Sequence, residues 1–142
     1  GRRKVLMWRK GTSPIVVETQ NAERDCMIYQ LVTTRIMLAF APSHEKEAFL
    51  AFNGLPPGSD WAEADTPAKL EHCLANLREA GYAEHYPGKG DVYAAAFPII
   101  DSEGKSVGAL GIYLPAFRMT PDLHKHILES IRLKLSQLQK QL

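Results

Sequence analysis

Val92-Tyr93-Ala94-Ala95-Ala96-Phe97-Pro98-Ile99-Ile100, joined by Asp101-Ser102-Glu103-Gly104 to Ser106-Val107-Gly108-Ala109-Leu110-Gly111-Ile112-Tyr113-Leu114, is the stretch that decides the fold. Two extended apolar runs flank a turn built from Asp, Ser and Gly, which is how a β-hairpin reads. Pro98 has no N–H to offer a ladder, so it belongs at an edge or a bulge.

Downstream, Thr120-Pro121-Asp122 is an N-cap with Pro at the first helical position. Leu128, Ile131, Leu135, Leu138 and Leu142 follow at spacings of three and four, which predicts a long terminal helix. Only about two heptads are present, fewer than a sustained coiled coil needs, so this stripe is expected to pack on the sheet.

Upstream, Thr66-Pro67 opens a helix whose apolar stripe is Leu70, Cys73, Leu74 and Leu77, and Gly81 ends it. A Pro/Gly-rich loop over residues 55–65 precedes that helix. Before the loop, Ser43 reads as the N-cap of a short helix with Glu45 and Glu47 in its first turn, ending at Asn53-Gly54. Residues 31–40 read as another helix, with Leu31, Arg35 and Leu38 on one face and Pro42 as its stop. At the start, residues 5–9 and the β-branched run 15–19 read as a hairpin around Gly11-Thr12-Ser13-Pro14. The order is two strands, three helices, two strands and one helix, with sequential hairpins in place of crossovers, which predicts an α+β domain on an antiparallel sheet.

The chain has 142 residues, 45% hydrophobic and 23% charged, which suits one folded domain and is too apolar for a disordered one. Its 17 Lys and Arg against 16 Asp and Glu leave a net charge of +1, too little for a segment that itself grips a phosphate backbone. Cys26 and Cys73 form no CxxC pair, so neither a disulfide framework nor a cysteine zinc site is indicated, and a reducing cytoplasmic setting is expected. No apolar run approaches the roughly 18 residues that span a bilayer, so no membrane partner is expected.

Catalytic motifs of the GxSxG, HExxH, Walker and GxGxxG types do not occur. His72 and Cys73 are adjacent on a helix and diverge, as do His124 and His126 two positions apart, so neither pair suits a dyad or a chelate. A more promising group is polar and aromatic: His85, Tyr86, Asp91 and Tyr93 surround Pro87-Gly88-Lys89-Gly90, and Tyr113 ends the next strand. With Thr33 at the start of a helix, these residues suit a pocket for a small anionic ligand. Exposed loop residues and ordinary sheet packing account for the same group.

The hairpin and its continuation Pro115-Ala116-Phe117-Arg118-Met119-Thr120-Pro121 resemble the end of the effector-binding domain of IclR-type transcriptional regulators. Arg78-Glu79-Ala80-Gly81-Tyr82-Ala83 resembles that family's arginine-x-x-glycine-tyrosine-alanine helix end. Thr34-Arg35-Ile36-Met37-Leu38-Ala39-Phe40-Ala41-Pro42 resembles its glycine-lysine-alanine-x-leucine-alanine helix. The similarity runs from about residue 14 to the C-terminus. It implies a GAF-like antiparallel sheet flanked by helices, in agreement with the order read from the residues.

The resemblance also implies a domain that senses a small-molecule effector, often a carboxylate or aromatic acid, and self-associates as a dimer or tetramer. DNA would be bound only through a winged helix-turn-helix preceding it. No such domain precedes residue 5, so the chain reads as one sensor domain, 1–142. By position, the backbone donors to the ligand are Val32 and Thr33, with Leu31 beside them. The family's acidic residue falls at His85 or its neighbour Glu84, its small polar residue at Ala94, and its two serines at Gly111 and Tyr113.

These departures remove hydroxyls at Ala94 and Gly111 and add rings at Tyr93, Tyr113 and His85, which implies a larger, flatter or more apolar ligand than a two- or three-carbon acid. A second reading keeps the fold for oligomerisation alone, its pocket filled by Tyr113 and neighbouring rings. A third, a small enzyme with His85 as base near Asp91, lacks a nucleophile, a cofactor loop and a metal set. No catalytic residue, metal or cofactor is assigned.

Overall fold

A computed structural model describes residues 4–7, 9, 25–85 and 92–142. The deciding hairpin forms as its sequence dictates. Strand β2 (Val92–Ile100) pairs antiparallel with β3 (Ser106–Pro115), from Val92 opposite Pro115 to Ile100 opposite Ser106. Asp101 makes the turn, its Oδ1 accepting from the amides of Glu103 at 3.0 Å and Lys105 at 2.8 Å, while Gly104 takes a φ of 81°.

A third strand, β1 (Ala83–His85), which the residue pattern did not announce, lies on the other side of β2 with Ala83 opposite Ala96 and His85 opposite Ala94. Pro98 sits beyond the length that β1 covers and next to a register shift at Ile99/Ile100, where a missing N–H costs no ladder bond to β1.

Helices cover both faces. Helix α1 (Val32–Phe40) lies on one, where Val32 and Ile36 pack against Ala83, Ala94 and Ala96. Helix α4 (Pro121–Gln139) lies on the other, with Leu128, Ile131 and Leu135 against Tyr93, Ala95 and Phe97. Its apolar stripe therefore meets the sheet, and Gln139 Nε2 ties its last turn to the hairpin by donating to the Asp101 carbonyl at 3.1 Å. Helices α2 (Ser43–Asn53) and α3 (Pro67–Ala80) complete the domain. Leu70 and Leu74 of α3 join Ile28, Tyr29, Leu38, Ala39 and Trp61 in a further core cluster.

The helix ends follow their sequence signals with one exception. Thr66 and Thr120 cap α3 and α4 through their hydroxyls, and Gly81 closes α3 at φ 75°. Ser43 is not the cap of α2 but its first residue. Pro42 holds the cap position without a side-chain bond, since a proline at φ −55° with an extended ψ already sets the chain's entry into the helix.

Residues 5–7 and 9 form no strand, and Leu6 and Met7 are 85% and 87% exposed. An apolar alternation makes a strand only where another strand pairs with it, and no described strand does so here. The companion run 15–19 lies outside the described residues. Among the described residues no helix is long and apolar enough to cross a membrane.

Candidate functional site

Strand alternation sorts the candidate residues. Side chains on β2 point alternately to the two faces, and paired residues on neighbouring strands share a face. Ala94, its partners His85 and Tyr113, and Gly111 opposite Ala96 therefore look toward α1. Tyr93 looks the other way. It is fully buried under α4, its hydroxyl donates to Glu84 Oε2 at 3.1 Å, and its ring meets that of His124 edge-on. Tyr93 is thus placed apart from the other candidates and holds the opposite core together.

The same alternation separates the two residues on which the family's acidic position falls. Glu84 is directed to the α4 face, where its carboxylate accepts from Tyr93 and from His124 Nε2 at 2.8 Å. His85 shares the α1 face and lies exposed at its edge. His124, set aside from spacing as part of a chelate, is half-buried and takes this contact instead.

Leu31 caps α1 and Val32 and Thr33 begin it, with the Thr33 methyl against Gly111 and Val32 in one cluster with Tyr113. Leu31 occupies the cap position and has no side chain able to accept the first amides; none does so. Its carbonyl receives Thr34 and Arg35, while the N–H groups of Val32 and Thr33 have no partner within the helix. The first turn carries no acidic residue either, so no carboxylate of the helix itself offsets its positive end. Val32 and Thr33 are 1% and 7% exposed, and the Thr33 hydroxyl makes no hydrogen bond among the described residues.

Contact between α1 and β3 is close. A Cβ at Gly111 would stand 2.7 Å from Thr33 Cγ2 and 3.3 Å from the Tyr113 ring. The first amides of α1 and the buried Thr33 hydroxyl lie in the same first turn.

Residues the sequence reading passed over stand beside this cluster. Arg35, named only for its helix face, bridges two carbonyls at 2.8 Å, Nε to Tyr29 and a terminal nitrogen to Asp60, with its guanidinium 4.6 Å over the Trp61 ring. Burial pulls its pKa below the ordinary arginine value, and the charge of Glu63 opposes that. A cation on an otherwise apolar helix face was the available signal. Arg35, Trp61, Cys73, Asn76 and His85 line a cleft of about 500 Å³ along β1. Cys73 donates to the Glu63 carbonyl at 3.1 Å, and burial followed by the Glu63 charge pushes its thiol pKa up, the opposite of a nucleophile's requirement. Tyr86 and Asp91 lie outside the described residues.

Comparison with known proteins agrees with this architecture. The inducer-binding domain of the PobR transcription factor from Acinetobacter, solved as a double mutant with 3-hydroxybenzoic acid, superposes at a TM-score of 0.63 with 20% identity, over 81% of this chain and 66% of that one. The C-terminal domain of the E. coli regulator KdgR gives 0.58 and 20%, over 79% and 70%. The Thermotoga maritima IclR gives 0.62 and 20% over 81% of this chain, which spans 47% of that protein's length. At these identities the likeness is one of fold. The sequence pattern of the bacterial transcriptional regulator IclR C-terminal family matches residues 23–139. This chain belongs to the IclR family of bacterial transcriptional regulators, as a C-terminal domain of that family.

Proposed function

We propose that this chain is the effector-sensing domain of a bacterial transcriptional regulator, and that its effector is a small organic acid bound where α1 meets β3. The observation that carries the reading is the first turn of α1, which has no side-chain cap and stands against β3 through the Thr33 methyl at Gly111, with the Thr33 hydroxyl buried and without a hydrogen bond among the described residues. A carboxylate there accepts from the first amides and this hydroxyl and meets the positive helix end. Leu31, Ala94 and Tyr113 border its body, and His85 stands at the rim.

The aromatic acid held by the PobR domain supports the ligand class. In this reading copies of the domain associate as a dimer or tetramer, and DNA is bound by a winged helix-turn-helix elsewhere in the longer regulator. Effector binding shifts the arrangement of subunits and so the spacing of the DNA-binding parts.

A thermal-shift screen against small carboxylates and aromatic acids tests this. A ligand at 100 times its dissociation constant adds about 2.7 kcal/mol of stability. An upward shift that Thr33→Val and His85→Ala abolish is the expected result; no shift across the panel overturns it.

The Tyr113 ring against Gly111 and Thr33 favours one rival, a domain kept for association alone with its pocket filled. That rival expects no acid to bind while the oligomer persists.

A further inference from the structure

Thr33 and Thr34 are neighbours on α1 and serve different sides of it, since successive helix positions diverge by about 100°. Thr33 meets Gly111, whereas Thr34, Met37 and Leu38, with Ala41 just past the helix end, follow one another at the spacings of a single helix face. That stripe, Ala48 and Phe49 of α2 and the start of β3 at Val107 and Gly108 line a cavity of about 360 Å³. About 150 Å³ of apolar space is enough to hold benzene, so this cavity takes a single-ring molecule with room to spare.

Its walls are mostly apolar, and two of them, Met37 and Val107, stand 41% and 51% exposed. Of the polar residues, Ser106 turns its hydroxyl to the Gly108 carbonyl at 3.5 Å. Thr34 is only 3% exposed, and its hydroxyl is buried without a hydrogen bond among the described residues. The ordinary resort of a helical threonine, the carbonyl four positions back, is not taken. No described Lys, Arg or His lines the cavity, and its one charged residue, the exposed Glu45, is an acid. An organic anion is therefore disfavoured there, and an uncharged molecule with one polar group is favoured.

We propose that this cavity is a second small-molecule site, separate from the acid site, for an uncharged and mostly apolar molecule carrying one hydroxyl, of the phenol or alcohol class. The apolar body lies against Met37, Phe49 and Val107 and removes their surface from water. The hydroxyl, which both donates and accepts, bonds Thr34 Oγ1 and satisfies a group that the fold leaves unpaired.

The test is calorimetric titration of the domain with 4-methylphenol, toluene and 4-methylbenzoate. The expected result is that 4-methylphenol binds, that T34V weakens it about fivefold, and that toluene, the same ring without the hydroxyl, binds wild type and T34V alike. A48F, which fills the cavity from an exposed position of α2, is expected to abolish binding of both. V107F fills it from the β3 side, so the test stands even where A48F does not fold. T33V is expected to leave both affinities unchanged, which separates this site from the acid site. Binding of 4-methylphenol that survives both A48F and V107F overturns the cavity as its site. A T34V variant that weakens toluene as much as 4-methylphenol, or weakens neither, overturns the role of the Thr34 hydroxyl. Binding of 4-methylbenzoate as tight as that of 4-methylphenol and equally lost in A48F overturns the ligand class. No binding of 4-methylphenol overturns the proposal outright and leaves the acid site to its own screen.

Discussion

Glu84 on β1 and His124 on α4, forty positions apart, meet at 2.8 Å, and the same carboxylate oxygen accepts from the buried Tyr93 hydroxyl. One carboxylate therefore fastens the start of α4 to the strand whose next residue, His85, stands at the rim of the candidate site.

Removing His124 by H124A deletes one of two bonds to a partly exposed carboxylate, so unfolding by urea is expected to show a loss of about 1 kcal/mol or less. E84A deletes both and is expected to cost more. A double-mutant cycle that finds H124A fully additive with E84A would dissolve the link.

T33V exchanges a buried hydroxyl that has no partner among the described residues for a methyl of the same shape. Leaving such a group unsatisfied costs about 1–3 kcal/mol, so the ligand-free domain is expected to be as stable as the wild type or more so. The same variant is expected to lose the thermal shift given by an acid. Stability up with binding down marks a group kept for function; a clear loss of stability would show instead that the hydroxyl is satisfied in solution.

G111A asks α1 and β3 to part, because its new methyl has only 2.7 Å to Thr33 Cγ2 on a packed helix. Overpacking of this kind costs about 1–3 kcal/mol, expected as a lowered midpoint of thermal unfolding. Pairing it with T33S, which removes the obstructing methyl, is expected to recover most of the loss.

Arg35 serves two carbonyls and one indole face with a planar fork, a task that an ammonium does not reproduce. R35K is expected to destabilise by about 1–3 kcal/mol, read by denaturant unfolding. Equal stability of R35K would mean that charge alone suffices there.

Cys73 is held above the ordinary thiol pKa by burial and then by Glu63. In a C26S background, alkylation by iodoacetamide near pH 8 is expected to be slower than for a free cysteine. A raised folded-state pKa contributes stability that is complete below the unfolded pKa and lost as pH rises through the folded one. The domain is therefore expected to weaken on the alkaline side of the thiol range, and C73A to flatten that slope.

Much of this was legible in the residues because the signals are local. The Asp101–Gly104 turn, the Thr-Pro openings at 66 and 120 and Gly81 each specify their own backbone geometry, and the structure follows them. β1 was not legible, since three residues, Ala83–His85, carry no periodicity and are a strand only because β2 offers an edge. The site divides the same way. Thr33, Gly111 and Tyr113, picked by position, do stand together, but the reading ignored alternation at Tyr93, whose parity with Phe97 assigns it to the α4 face. Arg35 was hidden because its partners are carbonyls, which leave no trace in side-chain spacing.

Because odd-numbered residues of β2 serve α4 and even-numbered ones serve α1, the sheet works as a partition between two separately editable lists of residues. Tyr93 and Phe97 anchor one list, and the alanines at 94 and 96 belong to the other. Substitutions on the α1 list leave the seat of α4 untouched, so if the proposed site is the right one, recognition is free to diverge within a fold that is inherited intact.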